Sequence, residues 1–233
     1  CAGERDVSLS IYGEDWICYE QQGRLVFQDA GVLLDLPLPR LTGRFQIENT
    51  GLAVATVRRM KSETVSLLSC EEGINNVVWP ARMQHLGPGK LYSYVDPQAE
   101  LWLDGGHNAS SGLVIADTLA ALEERLSRPL VIILGMINTK DSSGFLKPFA
   151  GLVQKVLTLA IPGEESAVPA HELAQIAREA GLNAEPAESL QEALESAARS
   201  VPGARILLTG SLYFSGYVLS EHGFSEGHEK REA

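Results

Sequence analysis

Short runs of apolar and β-branched residues at 7–12, Trp16–Gln21, 24–28 and 32–36 are separated by turn signals at Gly13-Glu14-Asp15, Gly23 and Asp29-Ala30-Gly31. This pattern predicts four strands. After Gly43-Arg44-Phe45-Gln46-Ile47-Glu48-Asn49 the period lengthens. Ile47, Leu52, Val54, Ala55 and Val57 suit one side of an amphipathic helix over 50–60. Four strands and one helix close a core poorly, so the segment reads as the end of a domain that began upstream.

Residues 61–79 form a polar joint containing Glu71-Glu72-Gly73 and Asn75-Asn76. Beyond it the pattern becomes strand–helix alternation. Strands are predicted at 91–95 and 101–104, with Asp96-Pro97 turning between them. A helix follows at 110–126, a buried strand at 130–136, a helix at 144–153 and a strand at 156–161. Then come a helix at 170–180 closed by Gly181, a short strand at 182–185, a helix at 189–200, a strand at 205–209 and a last helix at 212–221. The polar tail after His222 reads as loose. Alternation of this kind implies an α/β fold: a Rossmann-like, mostly parallel sheet with helices on both faces. The domains are drawn at 1–66 and 77–233.

Composition narrows the function classes. The 233 residues carry 19 Lys+Arg against 30 Asp+Glu, a net charge of −11, so the overall field repels phosphate. No nucleic-acid or membrane partner is expected, and a bound phosphate would need local groups acting against that field. Cys1, Cys18 and Cys70 form no C-x-x-C pair, which suits a reducing cytoplasm better than a disulfide framework or zinc site. The longest apolar run, 130–137, is far short of the ~18 residues that span a membrane. No signal peptide is evident. A chain starting at Cys1 reads as a fragment or processed form, and nothing downstream supports a lipoprotein start at Cys1-Ala2-Gly3.

Ligands of open parallel sheets bind beyond the carboxyl ends of the strands. One such end reads Leu103-Asp104-Gly105-Gly106-His107-Asn108. Its glycines allow close backbone approach, the following helix N-terminus favours an anion, and His107 can carry a proton near neutrality. The plainer alternative is a tight turn with Asn108 as N-cap. The next end carries Lys140 beside Asp141, either a carboxylate-binding lysine held by its neighbour or a solvated turn. The last reads Thr209-Gly210-Ser211-Leu212-Tyr213, an anion nest or simply an N-cap serine. Arg82, in Trp79-Pro80-Ala81-Arg82-Met83-Gln84, and Asn49 complete the candidates.

Other chemistries lack their motifs. Gly87-Pro88-Gly89-Lys90 has neither the spacing nor the hydroxyl of a P-loop, and no G-x-G-x-x-G follows a strand. His171-Glu172 lacks the second histidine of a zinc helix, while His85, His222 and His228 have no ligand spacing. There is no G-x-S-x-G elbow.

Taken in order, Leu36-Pro37-Leu38-Pro39, the 43–49 and 79–84 segments, Asp104-Gly105-Gly106-His107-Asn108 and Gly210-Ser211-Leu212-Tyr213 resemble a known family. It is the C-terminal half of bifunctional dihydrofolate synthase/folylpolyglutamate synthase, in the Mur ligase superfamily. The likeness extends from about Trp16 to His222. It implies a glutamate-ligase domain at 77–233, preceded by a β-rich remnant of the ATPase domain. It also implies a cytoplasmic, monomeric, ATP- and Mg2+-dependent ligase joining L-glutamate to dihydropteroate or a reduced folate. ATP phosphorylates a carboxylate, the amine attacks the acyl phosphate, and domain closure keeps water out.

The resemblance places Asn49, Arg82 and Asp104 on ATP, with His107 on the phosphate and glutamate side. Lys140, Asp141 and Ser211 are crevice candidates there. The family's P-loop, magnesium ligands, carbamylated lysine and main catalytic groups belong to its N-terminal half. None is in this chain, so the fragment is expected to be inactive alone. Ala81 stands where glycine is common, and Ala109 where proline usually follows the asparagine. The alternatives are a peptidoglycan-precursor ligase, whose closing strand typically reads Lys-Gly-Ser-Arg, and a non-catalytic nucleotide-binding module.

Overall fold

A computed structural model describes residues 8–60 and 65–223, which divide into two compact units after Trp79. Val7, the 61–64 start of the joint and the tail beyond Gly223 lie outside the described residues.

In the first unit β1 (Trp16–Gln21), β2 (Arg24–Asp29) and β3 (Leu33–Pro37) form an antiparallel sheet in chain order. The turn at Gln22-Gly23 has φ +53° and +76°, the left-handed pair that a tight hairpin requires. One sheet face is covered by α1 (Phe45–Arg59), burying Trp16, Cys18, Leu25, Phe27, Leu36, Val54 and Ala55 together. Helix α2 (Leu67–Asn76) adds Ile74, and Ser66 caps its start by accepting from Ser69 N at 3.1 Å.

Three expectations change here. Residues 8–12 form no strand, because Ile11 N donates to Asp15 Oδ2 at 2.7 Å and Ile11 O accepts from Asp15 N at 2.9 Å, closing a turn. Helix α1 begins five residues earlier than 50 and leaves Leu52 exposed. The polar joint contains α2, whose apolar side is too short to show a clear period.

At Gly51 α1 packs directly on the side chains of β1. A Cβ there would run into Cys18 Sγ and stand 2.8 Å from Cys18 Cβ and 3.0 Å from the Trp16 ring. Gly51→Ala should therefore cost about 1–3 kcal/mol through overpacking, outweighing the roughly 1 kcal/mol gained in helix propensity. Peptide-resolved thiol labelling checks this. Cys18, buried in the unit, should react faster in the variant, and an unchanged rate would refute the tight contact.

The second unit holds a six-stranded sheet. Its strands are β4 (Gln84–His85), β5 (Glu100–Asp104), β6 (Leu130–Leu134), β7 (Val153–Thr158), β8 (Ala184–Pro186) and β9 (Arg205–Thr209), in the order β4-β5-β9-β6-β7-β8. Only β4 runs antiparallel. Leu101, Leu103, Val131, Ile133, Ile206 and Leu208 share one core with α6 (Leu190–Ser200) and α7 (Leu212–His222). With period two, the alternate residues Trp102, Ile132 and Leu207 face the other side, where α3 (Ala109–Arg125), α4 (Ser142–Leu146) and α5 (Ala170–Glu179) succeed the outward-stepping strands. The chain steps outward from β6 to β8 and returns to insert β9 between β5 and β6. The carboxyl ends of β5, β9 and β6 thus frame the topological switch point.

The predicted strand at 91–95 is instead a 3₁₀ turn over Lys90–Tyr94. The edge beside β5 is taken by β4, and Leu91 is buried against the α6–α7 core while Tyr92 Oη donates to Leu86 O at 2.9 Å. The predicted helix at 144–153 shrinks to α4 and a 3₁₀ turn, because Pro148 has no N–H to continue it. Strands β6 and β7 end at Leu134 and Thr158, short of the expected 136 and 161. Strand β8 starts at Ala184 rather than 182.

Candidate functional site

Three βα turns meet at the switch point, and glycines let them. A Cβ at Gly105, after β5, would strike the Leu212 side chain at the start of α7. Gly210, after β9, has φ +118°, and a Cβ there would stand 2.6 Å from Gly135 O, after β6. Gly135 N in turn donates to Thr209 O at 3.1 Å. The crevice floor is therefore backbone packed on backbone.

The turn after β5 is built on its own side chains. Asn108 caps α3 by accepting from Ser111 N at 2.9 Å, while Ser111 Oγ accepts from the amides of Asn108 and His107. This closes a capping box. The His107 ring folds back so that Nδ1 lies 3.1 Å from Gly105 O. A carbonyl can only accept, so Nδ1 carries the hydrogen of this bond. The N-cap alternative for Asn108 and a half-buried histidine are both present in one turn.

Asp104 is only 3% exposed. Its Oδ1 accepts from Gly106 N at 2.7 Å and its Oδ2 from Met83 N at 2.8 Å. Burial pushes its pKa up. The two amide bonds and the nearby charges of Arg82 and His107 oppose that push without cancelling it. Arg82 is exposed at the tip of a loop in which Ala81 and Met83 both have positive φ, +56° and +43°. Arg82, Asp104 and His107 are thus brought together.

The remaining candidates fare differently. Ser211 is 2% exposed and caps α7, accepting from Phe214 N at 3.1 Å, as the plainer reading had it. Asp141 caps α4 by accepting from Gly144 N at 2.8 Å. Lys140 is exposed, and among the described residues no ion pair joins it to Asp141. The turn they share stays close to that of His107, since a Cβ at Gly144 would stand 3.3 Å from Ala109 Cβ at the start of α3. Asn49 lies exposed on α1 of the first unit, its Nδ2 donating to Gln46 Oε1 at 3.0 Å. Met83 and Gln84 were overlooked as site-building residues. Gln84 Oε1 accepts from Ala81 N at 3.0 Å, a contact with no local signal in the sequence. Among the described residues, no three of His, Cys, Asp and Glu are grouped to hold a metal ion.

Residues 90–212 match the Mur ligase, glutamate ligase domain family. The folylpolyglutamate synthase of Lacticaseibacillus casei is 27% identical over 199 residues, covering 84% of this chain and 42% of that protein. Among solved structures, E. coli FolC in complex with DHPP and ADP superposes with a TM-score of 0.79 at 23% identity, covering 94% of this chain and 48% of that one. The bifunctional folylpolyglutamate synthase/dihydrofolate synthase of Yersinia pestis, complexed with AMPPNP and Mn ion, gives 0.79 at 20% identity, covering 96% and 49%. The chain spans about half the length of the relatives it matches. No helix among the described residues is long and apolar enough to cross a membrane.

Proposed function

We propose that this chain, which belongs to the Mur ligase family by its glutamate ligase domain, serves an ATP-dependent amide ligase that joins L-glutamate to dihydropteroate or a reduced folate. The observation that carries the reading is the grouping of an exposed arginine, a buried aspartate and a half-buried histidine at the switch-point crevice. The likeness to a folylpolyglutamate synthase supports the substrate class. In this reading 77–233 is the glutamate-ligase domain and 1–66 the end of an ATP-binding domain.

The chemistry has two steps. An acceptor carboxylate oxygen takes the γ-phosphoryl group of ATP, and the bond from phosphorus to the bridging oxygen breaks to release ADP. The glutamate amine then attacks the acyl carbon, a C–N bond forms, phosphate leaves and the amine proton passes to a base or solvent. The Arg82 guanidinium suits a phosphate, which its planar fork can grip bidentately. In this reading Asp104 is a nucleotide-binding residue of the second unit, and Asn49 is a nucleotide-binding candidate of the first. His107 stands on the phosphate and glutamate side. Lys140 at the neighbouring turn can pair with a glutamate carboxylate, with Asp141 and Ser211 holding the helix starts around it.

The test is glutamate-dependent ADP release with dihydropteroate as acceptor, once the chain is joined to a family N-terminal half. Arg82→Ala should lower turnover about 100-fold or more, the scale of removing a group that stabilises developing charge. Turnover unaffected by Arg82→Ala would overturn the assignment, and none with dihydropteroate or a reduced folate would overturn the substrate class. The 233 residues alone, lacking a P-loop, are expected to release no ADP, and measurable release would refute that.

A further inference from the structure

Gly87-Pro88-Gly89 has no part in the crevice, yet it is where the last turn of α7 is fastened. His222, the final residue of α7, is 8% exposed. Its Nε2 lies 3.0 Å from Gly87 O, and because a carbonyl only accepts, Nε2 carries the hydrogen of this bond. The neutral ring then has its acceptor at Nδ1, which is buried and meets no hydrogen-bond partner among the described residues. The ring also lies on the backbone of Gly89, where a Cβ would strike Cε1 and Nε2 and stand 2.8 Å from Nδ1. Tyr92 completes the slot. Its ring centroid is 6.3 Å from that of His222, its amide donates to Gly89 O at 3.1 Å and its Oη donates to Leu86 O at 2.9 Å. The imidazole thus fills a space walled by glycine backbone and a tyrosine, with one nitrogen bonded and the other unpaired.

We infer that His222 is a proton-sensitive latch between α7 and the segment 86–92, closed while the ring is neutral and open once it is protonated. A second proton would go to Nδ1, placing a donor and a charge where no acceptor stands. The surrounding groups compensate little. The 86–89 stretch brings no titratable side chain, α7 brings Glu221 and Tyr217, the 3₁₀ turn brings Lys90, Tyr92 and Tyr94, and β5 begins at Glu100. Lys90 runs beside Gly223, its Cε 3.7 Å from where a Cβ there would stand, and its charge opposes a second cation. Glu221 is exposed and screened by solvent, while Glu100 is engaged by Arg205 and Arg128. Burial accordingly pushes the His222 pKa below its usual value, and the Gly87 bond opposes this without cancelling it. The open ring therefore takes a proton more readily than the closed one. Closure is fully favoured above the free-histidine pKa of about 6.5 and is lost as pH falls below it toward the lower closed-state value.

Two measurements on the 233-residue chain test the latch. The first is amide hydrogen exchange, each rate divided by that of the unstructured chain at the same pH. Tyr92 N, bonded to Gly89 O, reports the latch, and Val131 and Ile133 in β6 report the sheet. From about pH 7.5 to about 5.5, normalised exchange at Tyr92 should rise about threefold or more, within the roughly tenfold that this proton linkage allows. Val131 and Ile133 should stay protected throughout. His222→Gln keeps an N–H for Gly87 O but takes up no proton, so its Tyr92 exchange should be flat. Gly89→Ala crowds the ring out while leaving the histidine in place, so exchange should be fast already at about pH 7.5 and lose most of its pH dependence. No rise in the parent chain, or an equal rise in His222→Gln, overturns the latch. The second measurement is an NMR titration of the His222 ring, assigned by the signal that His222→Gln removes. Its midpoint should lie below about 6.5 in the parent chain and move up toward that value in Gly89→Ala. A parent midpoint at or above about 6.5 overturns the inference whatever the exchange shows.

Discussion

Arg205→Ala is expected to destabilise the second unit by about 3 kcal/mol or more, the cost of stranding a charge that its removed partner had neutralised. The Arg205 side chain is 4% exposed, in the central strand β9 at the amino end of the sheet. Its Nε donates to Glu100 Oε2 at 2.9 Å and one terminal nitrogen donates to Leu126 O at 3.2 Å. Glu100 also receives Trp102 Nε1 at 3.2 Å and pairs with Arg128 at 3.0 Å. Removing the arginine leaves Glu100 with Trp102 and the half-buried Arg128 and opens a gap beneath α3. With a slope of roughly 1–3 kcal/mol per molar in urea, the midpoint should fall by about 1 M or more. A shift under a few tenths molar would show the cluster to be a bystander. Arg205→Lys should recover little, because an ammonium cannot reach the carboxylate and the Leu126 carbonyl in one plane.

The same cluster sets an acid dependence. Burial pushes the Glu100 pKa up, but the bonds from Arg205 and Trp102 and the charges of Arg205 and Arg128 bring it below the usual carboxylate value. A carboxyl with a depressed folded pKa gives stability that is fully present above its unfolded pKa of about 4.3 and lost as pH falls through the lower folded value. Acid unfolding monitored between pH 5 and 2 should therefore steepen below about pH 4.3. In Arg205→Ala this contribution should shrink, because burial then dominates what remains around Glu100.

Local chemistry was the most legible part of this chain. Asn108, Ser189 and Ser211 cap α3, α6 and α7 by accepting from amides three residues on, and such contacts are written in adjacent residues. Gly181 likewise ends α5 at φ +86°. The buried strands were legible too, since 130–134 and 205–209 are apolar runs between turns. Failures came where a distant partner decides. Residues 91–95 alternate like a strand, but the place beside β5 belongs to Gln84–His85, a pair too short to show a period. Asp141 beside Lys140 suggested an ion pair, whereas the carboxylate found a helix amide. The loop around Arg82 was hardest. Positive φ at alanine and methionine has no local signal, and its cause lies at Asp104 and Gly105, more than twenty residues on.

Phe214→Ala is the other large effect expected, and it reaches the crevice from below. The ring is fully buried in the core beneath α7, and its own amide caps onto Ser211. Truncation should cost about 3–5 kcal/mol from lost burial and the cavity left behind. The ring also packs against Gly135, where an added Cβ would stand 2.9 Å from Phe214 Cγ and 3.2 Å from Ile161 Cγ1. Gly135→Ala alone should therefore cost about 1–3 kcal/mol by overpacking. In the Phe214→Ala background the same methyl enters vacated space, so its cost should fall to near zero or become a small gain. The two changes should then be non-additive by about 1 kcal/mol or more, as residues in direct contact are. Additivity in urea unfolding would mean that Gly135 is constrained by something other than this ring. Strong coupling would show that the turns after β6 and β9 are one packed body, so that the position of Ser211 is set by the same contact that holds the core.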